Sequence, residues 1–217
     1  MIVGKFVVVV IIAYLLGAIP FGLIIGKWMG GVDISQRGSG NIGGTNVLRT
    51  LGIKAGALVA ALDIAKGAGA VMLAKVIIGD GVLLAAGFPL HWQVGQVMAA
   101  LMVMVGHNWS VYIKFRGGKG VAAYYGGWFA MCPAAGLFGG VITLLTALHS
   151  RYVSLGSILG ALGIMCLMIL FTVVYEFPPI YLAYSLVAAG LIIYQHRSNI
   201  SRLQSGTELE LYKKAEK

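Results

Sequence analysis

The sequence predicts an all-α, polytopic integral membrane bundle of seven transmembrane helices, some of them short, with the N-terminus outside and the C-terminus cytosolic. Three observations predict it. Of 217 residues, 59% are apolar and only 11% charged, against about 25% charged in an ordinary soluble domain. Several apolar runs approach or exceed the roughly 18 residues that suggest a spanning helix. Lys and Arg gather in short loops and in the tail, as they do in the cytoplasmic connections of membrane proteins. The 32 glycines suit helices whose backbones approach closely in lipid. Residues 1–217 read as a single membrane domain.

Span one runs from Val3 to Gly26 and is interrupted at Gly17 and Pro20. Pro20 removes a backbone donor and kinks the helix. A glycine-rich loop follows, and Val47 to Leu51 reads as a short interfacial helix. Span two covers Ile53 to Ile78 and carries Asp63 and Lys66 inside it. After a loop with Asp80, Gly81 and Pro89, span three covers Trp92 to Val111. Val121 to His149 reads either as one long helix or as two short ones parted at Cys132-Pro133, since proline disfavours helical geometry in the residue before it. The last spans are Val153 to Val174 and Ile180 to Tyr194, joined by the Glu176-Phe177-Pro178-Pro179 turn.

Charge decides between six spans and seven. With a break at Pro133 and the N-terminus outside, thirteen of the sixteen basic residues face the cytosol, Lys213, Lys214 and Lys217 of the tail among them. Lys5 and Lys75 lie near the outer face and Lys66 in the membrane. Six spans would move Arg151 and the basic tail outside, against the positive-inside rule. The seven-span reading leaves spans four and five about 13 to 15 residues each, which demands local thinning of the bilayer. No cleavable signal peptide is expected. Cys132 and Cys166 lie in apolar runs without CxxC spacing and suggest neither zinc nor a disulfide framework. The net charge of +9 sits in loops, which argues against nucleic acid and for topology and an anionic ligand.

Three polar clusters then share one membrane face. The first is Arg37-Gly38-Ser39-Gly40-Asn41-Ile42-Gly43-Gly44-Thr45-Asn46 with Arg49. Its glycines leave N–H groups uncovered, its short polar side chains add donors and acceptors, and its two arginines can fork onto phosphate oxygens. Such a loop can curl into an anion nest, or serve as a plain interfacial turn. The second runs from Gly106-His107-Asn108 to Lys114-Phe115-Arg116-Gly117-Gly118-Lys119-Gly120; it lacks the full phosphate-loop pattern but offers N–H groups and an ammonium at the start of a helix. The third is His196-Arg197-Ser198-Asn199-Ile200-Ser201-Arg202-Leu203, with Gly206 and Glu208.

These three ordered motifs, spread over essentially the whole chain, resemble those of the bacterial membrane acyl-phosphate:glycerol-3-phosphate acyltransferases. The departures are Gly44 where alanine is usual, Ser110 where the family usually has proline, and Ala123 where threonine or another small residue is common. The resemblance implies a seven-span fold in the bacterial inner (cytoplasmic) membrane with a cytosol-facing active site. It also implies transfer of a fatty acyl group from acyl phosphate to the 1-hydroxyl of sn-glycerol 3-phosphate, giving lysophosphatidic acid and phosphate, with no cofactor or metal.

Roles follow from the resemblance. Ser39, Asn41, Thr45 and the N–H groups around Gly38, Gly40, Gly43 and Asn46 would hold one phosphate, with Arg49 completing the cradle. Lys119 and the Gly117-Gly118 turn would contact the leaving or the acceptor phosphate. His196, Asn199 and Arg202 would complete the acceptor site. His107 is the leading protein base, because imidazole titrates near pH 6.5; the acceptor's own phosphate is the alternative. Asp63 and Lys66, three apart on one helix face, form an intramembrane ion pair, either functional or helix glue. Glu208 is given a lesser part, pairing with a nearby cation or capping the tail, and His91 and His149 a flanking or packing one. The competing function is a small transporter of an organic phosphate; such proteins bind near the midplane and carry repeated halves, whereas these polar groups collect at one face.

Overall fold

The computed structural model describes residues 2–79, 83–85 and 88–211; Asp80 and Gly81 and the tail cations Lys213, Lys214 and Lys217 lie outside the described residues. Ten α-helices among the described residues follow in order: α1 (Ile2–Ala18), α2 (Phe21–Gly30), α3 (Gly44–Leu51), α4 (Ile53–Ile78), α5 (Trp92–Asn108), α6 (Val121–Met131), α7 (Pro133–Ser150), α8 (Val153–Val174), α9 (Pro179–Gln195) and α10 (Arg197–Gln204). Between α4 and α5, where the sequence reads as a loop, β1 (Leu83–Ala85) and β2 (Phe88–Leu90) pair as a short antiparallel ribbon, Leu83 opposite Leu90.

Among the described residues, four helical stretches are long and apolar enough to cross a membrane: Ile2–Gly30 taken across the break at Pro20, Ile53–Ile78, Pro133–Ser150 and Val153–Val174. The region 121–149 is two helices, parted at Cys132, which is held out of helical geometry (φ −149°, ψ 89°) while Pro133 opens α7. Proline at a helix start loses a donor that would be unpaired there anyway. The two are unequal, 11 and 18 residues, and not the matched short spans expected. Span three ends early at Asn108 and gives way to a 3₁₀ turn at Val111–Ile113. The third motif, expected only as a polar cluster, winds into α10.

Packing places α4 at the centre of one half, against α1, α3, α5 and α6, while α7, α8 and α9 follow one another around the other half. Tyr124, Trp128 and Tyr184, all fully buried, form the aromatic heart where α5, α6 and α9 meet. The α4–α6 contact depends on Gly126, whose missing Cβ makes room for the Ile64 carbonyl of α4. Many large apolar side chains, among them Val3, Val76 and Val173, point outward, as a lipid-facing surface requires.

Adding side-chain volume separates the packed face from the open one. Gly126→Val forces the α4–α6 backbones apart and lowers stability by about 1–3 kcal/mol or more. Gly140→Ala, where nothing stands within 4 Å of the new methyl, is neutral or raises stability by up to about 1 kcal/mol. Melting of the purified protein in detergent checks the contrast.

Candidate active site

All three polar motifs meet at one cavity of about 280 Å³, walled by the first turns of α3 and α6, the middle of α4, the start of α8 and the segment around α10. The first N–H groups of a helix have no carbonyl one turn back, and a helix N-terminus carries partial positive charge. Two such ends, Gly44–Asn46 and Val121–Ala122, therefore face one space. Arg49, Lys119 and Arg202 add three cations, and Glu208 and Asp63 two carboxylates, the second paired with Lys66 behind the wall. On the other side the wall is apolar, formed in part by Ala60, Ile64, Val121 and Val153. A shallower polar depression of about 160 Å³ adjoins it, shared by Ser39, Lys119, Asn199 and Arg202.

The glycine loop is held by Asn46. Its side-chain nitrogen is shared among the carbonyls of Ile34, Arg37 and Asn41, at 3.1, 2.9 and 2.8 Å, and its oxygen accepts from Ser39 N–H at 2.9 Å. Asn46 lines the cavity, and its side-chain amide is consumed in shaping the loop. Asn41 Oδ1 accepts from Gly43 N–H at 2.8 Å. Ser39, Asn41, Gly43 and Thr45 line the cavity; Gly38 lines neither space, and Gly40 reaches only the shallow depression. Arg37, expected to bracket the ligand, is exposed and lines neither. Gly44, standing where alanine is usual, lets α3 lie close on α4, because a Cβ there would come 2.9 Å from the Gly56 carbonyl oxygen.

Arg49 donates to the carbonyls of Glu210 and Leu209 at 3.1 and 2.9 Å, tying the C-terminal segment across the cavity. Lys119 Nζ donates to Asn199 Oδ1 at 2.5 Å. Burial pulls the Lys119 pKa down to about 8; Glu208 opposes this while Arg202 and Arg49 add to it. The turn before it is moulded onto the end of α5: Gly118 N–H donates to the His107 carbonyl at 3.0 Å, and a side chain at Gly118 would overlap the His107 ring. Gly118 consequently lines neither space, a correction to its expected ligand contact, and Gly117 lines the shallow one.

Glu208 carries far more than a tail cap. Its side chain is 4% exposed and accepts from Asn199 at 2.6 Å, Ser154 at 2.8 Å and Arg202 at 2.8 Å. Burial works against its ionisation, but those hydrogen bonds outweigh it and hold the carboxyl below its ordinary range. The signal in the sequence was an acid close to the third motif's cations and to a lipid face, a group that is retained there only if well paired.

The two imidazoles differ. His196 Nδ1 lies 2.8 Å from the Ile192 carbonyl; a carbonyl only accepts, so Nδ1 carries the proton. Burial and the Lys119 ammonium lower the His196 pKa to about 4, so the ring is neutral and Nε2 keeps a lone pair in the cavity wall. His107 Nδ1 lies 2.9 Å from Lys66 Nζ; an ammonium only donates, so that nitrogen's lone pair is already engaged. Asp63 completes the group, 2.8 Å from Lys66 and 3.4 Å from His107 Nδ1. Of the departures, Ser110 donates to the Ala18 carbonyl at 2.5 Å and Ala123 is fully buried. His91 and His149 are exposed and away from the cavity.

The family described as glycerol-3-phosphate acyltransferase matches residues 7–206. Glycerol-3-phosphate acyltransferase 3 of Dehalococcoides mccartyi (strain CBDB1) is 44% identical over 215 residues, 99% of this chain and 100% of the relative. The glycerol-3-phosphate acyltransferase of Thermoanaerobacter sp. (strain X514) is 42% identical over 210 residues, 97% of this chain and 98% of the relative. Among solved structures, PlsY (YgiH), an integral membrane glycerol 3-phosphate acyltransferase, in its glycerol 3-phosphate form superposes with a TM-score of 0.81 at 39% identity, covering 94% of each chain. Its lysophosphatidic acid form gives 0.80 at the same identity and coverage. With that identity sustained from end to end, and the fold shared, this chain belongs to the glycerol-3-phosphate acyltransferase family.

Proposed function

We propose that this chain transfers a fatty acyl group from acyl phosphate to the 1-hydroxyl of sn-glycerol 3-phosphate, releasing lysophosphatidic acid and inorganic phosphate. The observation that carries the reading is one cavity with three cations and two helix N-termini at its polar end and an apolar wall at the other. Both substrates carry phosphate and one carries a long apolar tail. The first carbons of that tail lie along Ala60, Ile64 and Val153, and the remainder lies in the bilayer.

Acyl phosphate is a mixed anhydride, so no acyl-enzyme is required. The acceptor oxygen attacks the carbonyl carbon, the bond from that carbon to the phosphate oxygen breaks, and inorganic phosphate leaves. Arg49, Ser39, Thr45 and the α3 N-terminus hold one phosphate, with Lys119, Asn199 and Arg202 on the other. Holding two anions together in the right orientation is the main catalytic task. The neutral His196 ring accepts a hydrogen bond from an acceptor hydroxyl. The proton passes to the acceptor's own phosphate, whose second ionisation falls near pH 6 as in other phosphate monoesters; the engagement of His107 Nδ1 by Lys66 favours this over His107 as base.

The whole chain acts as one membrane acyltransferase domain. Seven spans, counted as α1 with α2, then α4, α5, α6, α7, α8 and α9, put the three motifs and most of the basic residues on the cytosolic side of the inner membrane, in accord with the positive-inside rule. External labelling of cysteines introduced into 196–211 in intact cells would overturn this orientation.

Purified enzyme offered palmitoyl phosphate, palmitoyl-coenzyme A and palmitoyl acyl carrier protein is expected to make lysophosphatidic acid from the first alone. Turnover only with either of the others defeats the donor assignment. Free-enzyme Lys119 is charged below about pH 8 and loses its charge above it. Accordingly kcat/KM for glycerol 3-phosphate falls above pH 8 by up to about tenfold per unit, since that parameter reports the free enzyme. Lys119→Arg, which stays charged, has a lower but flatter profile over pH 8–10.

Removing a general base costs about 10²–10⁴-fold. His107→Asn, keeping an acceptor for Lys66, is expected to hold kcat within about tenfold of the parent. A loss in the larger range with KM for glycerol 3-phosphate unchanged would return the base role to His107, whereas a rise in KM reports the ring's contact with the Gly118 turn.

A further inference from the structure

Asp63 and Lys66 take no part in the chemistry above, yet both are buried, 1% and 6% exposed. Burying an ion pair in an apolar interior gains little stability over apolar residues of the same shape, so stability alone does not account for it. Lys66 Nζ reaches three polar groups from three places in the fold: Asp63 Oδ1 on its own helix, His107 Nδ1 at the end of α5, and the Ile19 carbonyl at 3.1 Å in the break between α1 and α2. His107 in turn is the seat of the phosphate turn. Its carbonyl accepts from Gly118, its ring fills the space a Gly118 side chain would need, and Asn108 beside it lies against Gly120. Lys119 projects from between those two glycines.

We propose that Lys66 is a positioning residue for the acyl transfer: it fixes the His107 ring, which fixes the Gly118–Gly120 turn and thereby the Lys119 ammonium. Asp63 belongs to the same device. Asp63 and His107 line the cavity, whereas Lys66 does not; the ammonium behind the wall offsets a carboxylate that would otherwise repel both anionic substrates. The inference rests on the reading of this cavity as the acyl-transfer site, and its test is read only on variants that still turn over substrate.

The test compares Lys66→Met and the double variant Asp63→Asn/Lys66→Met with the parent, measuring KM for glycerol 3-phosphate, kcat and the alkaline limb of kcat/KM. The groups facing Lys119 are Asn199, Arg202 and His196 around α10, Glu208 beyond it, and Arg49 on α3. A turn freed from its seat lets Lys119 move toward water, so the limb moves up by at least half a pH unit and KM rises at least fivefold in both variants. A merely structural ion pair lowers the melting temperature and the active fraction but leaves the limb and KM of the surviving enzyme unchanged, which overturns the proposal. Recovery of the parental KM in the double variant also overturns it, because the effect is then repulsion by Asp63 alone. Where Lys66→Met does not fold, the double variant and His107→Phe, which keeps the ring under Gly118 without the nitrogen, carry the same reading. Loss of turnover by the parent with acyl phosphate bears on the donor instead, and the profile is then taken with whichever donor it uses.

Discussion

A charge carried into an apolar interior must be paired, and the arrangement of this molecule's polar groups depends on that constraint. Leaving one partner of a buried pair alone costs about 3–5 kcal/mol, a large part of the stability of an ordinary domain. Asp63 and Lys66 satisfy it deep in the bundle, with His107 and the Ile19 carbonyl at the α1–α2 break taking the remaining capacity. Glu208 satisfies it at the rim with Asn199, Ser154 and Arg202. What these networks leave over is the functional part. Three cations against one carboxylate give the rim an excess of two positive charges, close to the charge of one phosphate monoester at neutral pH.

The site sits where helices end because only there are backbone donors free. In the middle of a span every N–H is used within the helix. The chain creates ends inside the bundle by short means: Pro20 parts α1 from α2, the Gly43–Gly44 step opens α3, and the left-handed Gly120 opens α6. Two of these openings line the cavity. The third, at Pro20, leaves the carbonyls that Lys66 and Ser110 cap, and so the same break that shapes the first span also fastens the loop after α5.

The spans were legible because apolar length and helix breakers are local properties. Ile53–Ile78 and Val153–Val174 coincide with α4 and α8, and the Cys132-Pro133 boundary follows from proline chemistry. The membership of the three motifs in one site was legible through charge, since topology and the motif resemblance put them on the same face. What the sequence hid is long-range. Nothing local says that Asn46 spends its amide on its own loop, that Gly118 is held beneath a ring and not beside a ligand, or that Arg37 points away. Glu208 was undervalued for the same reason: its three partners lie on α8 and α10, and only folding brings Ser154 to it. For His107 the sequence left the base open between its imidazole and the acceptor's phosphate, and the contact that bears on the choice comes from Lys66, forty-one residues earlier.

An anion in the middle of an anion-binding site looks like a contradiction, and its resolution shows how such a site can work. Three cations brought together without it would repel one another, and in low dielectric that repulsion is not screened as at a surface. Glu208 holds Arg202 directly and reaches Lys119 through Asn199, so the cations are already oriented before a phosphate arrives. The donors then need little reorganisation as charge develops during acyl transfer, which is where preorganised groups contribute most. A carboxylate without spare donors also contributes no attraction of its own, so the phosphate is drawn to the faces of Lys119 and Arg202 that Glu208 does not occupy. The acid thus acts as a spacer that sets the direction of the cations.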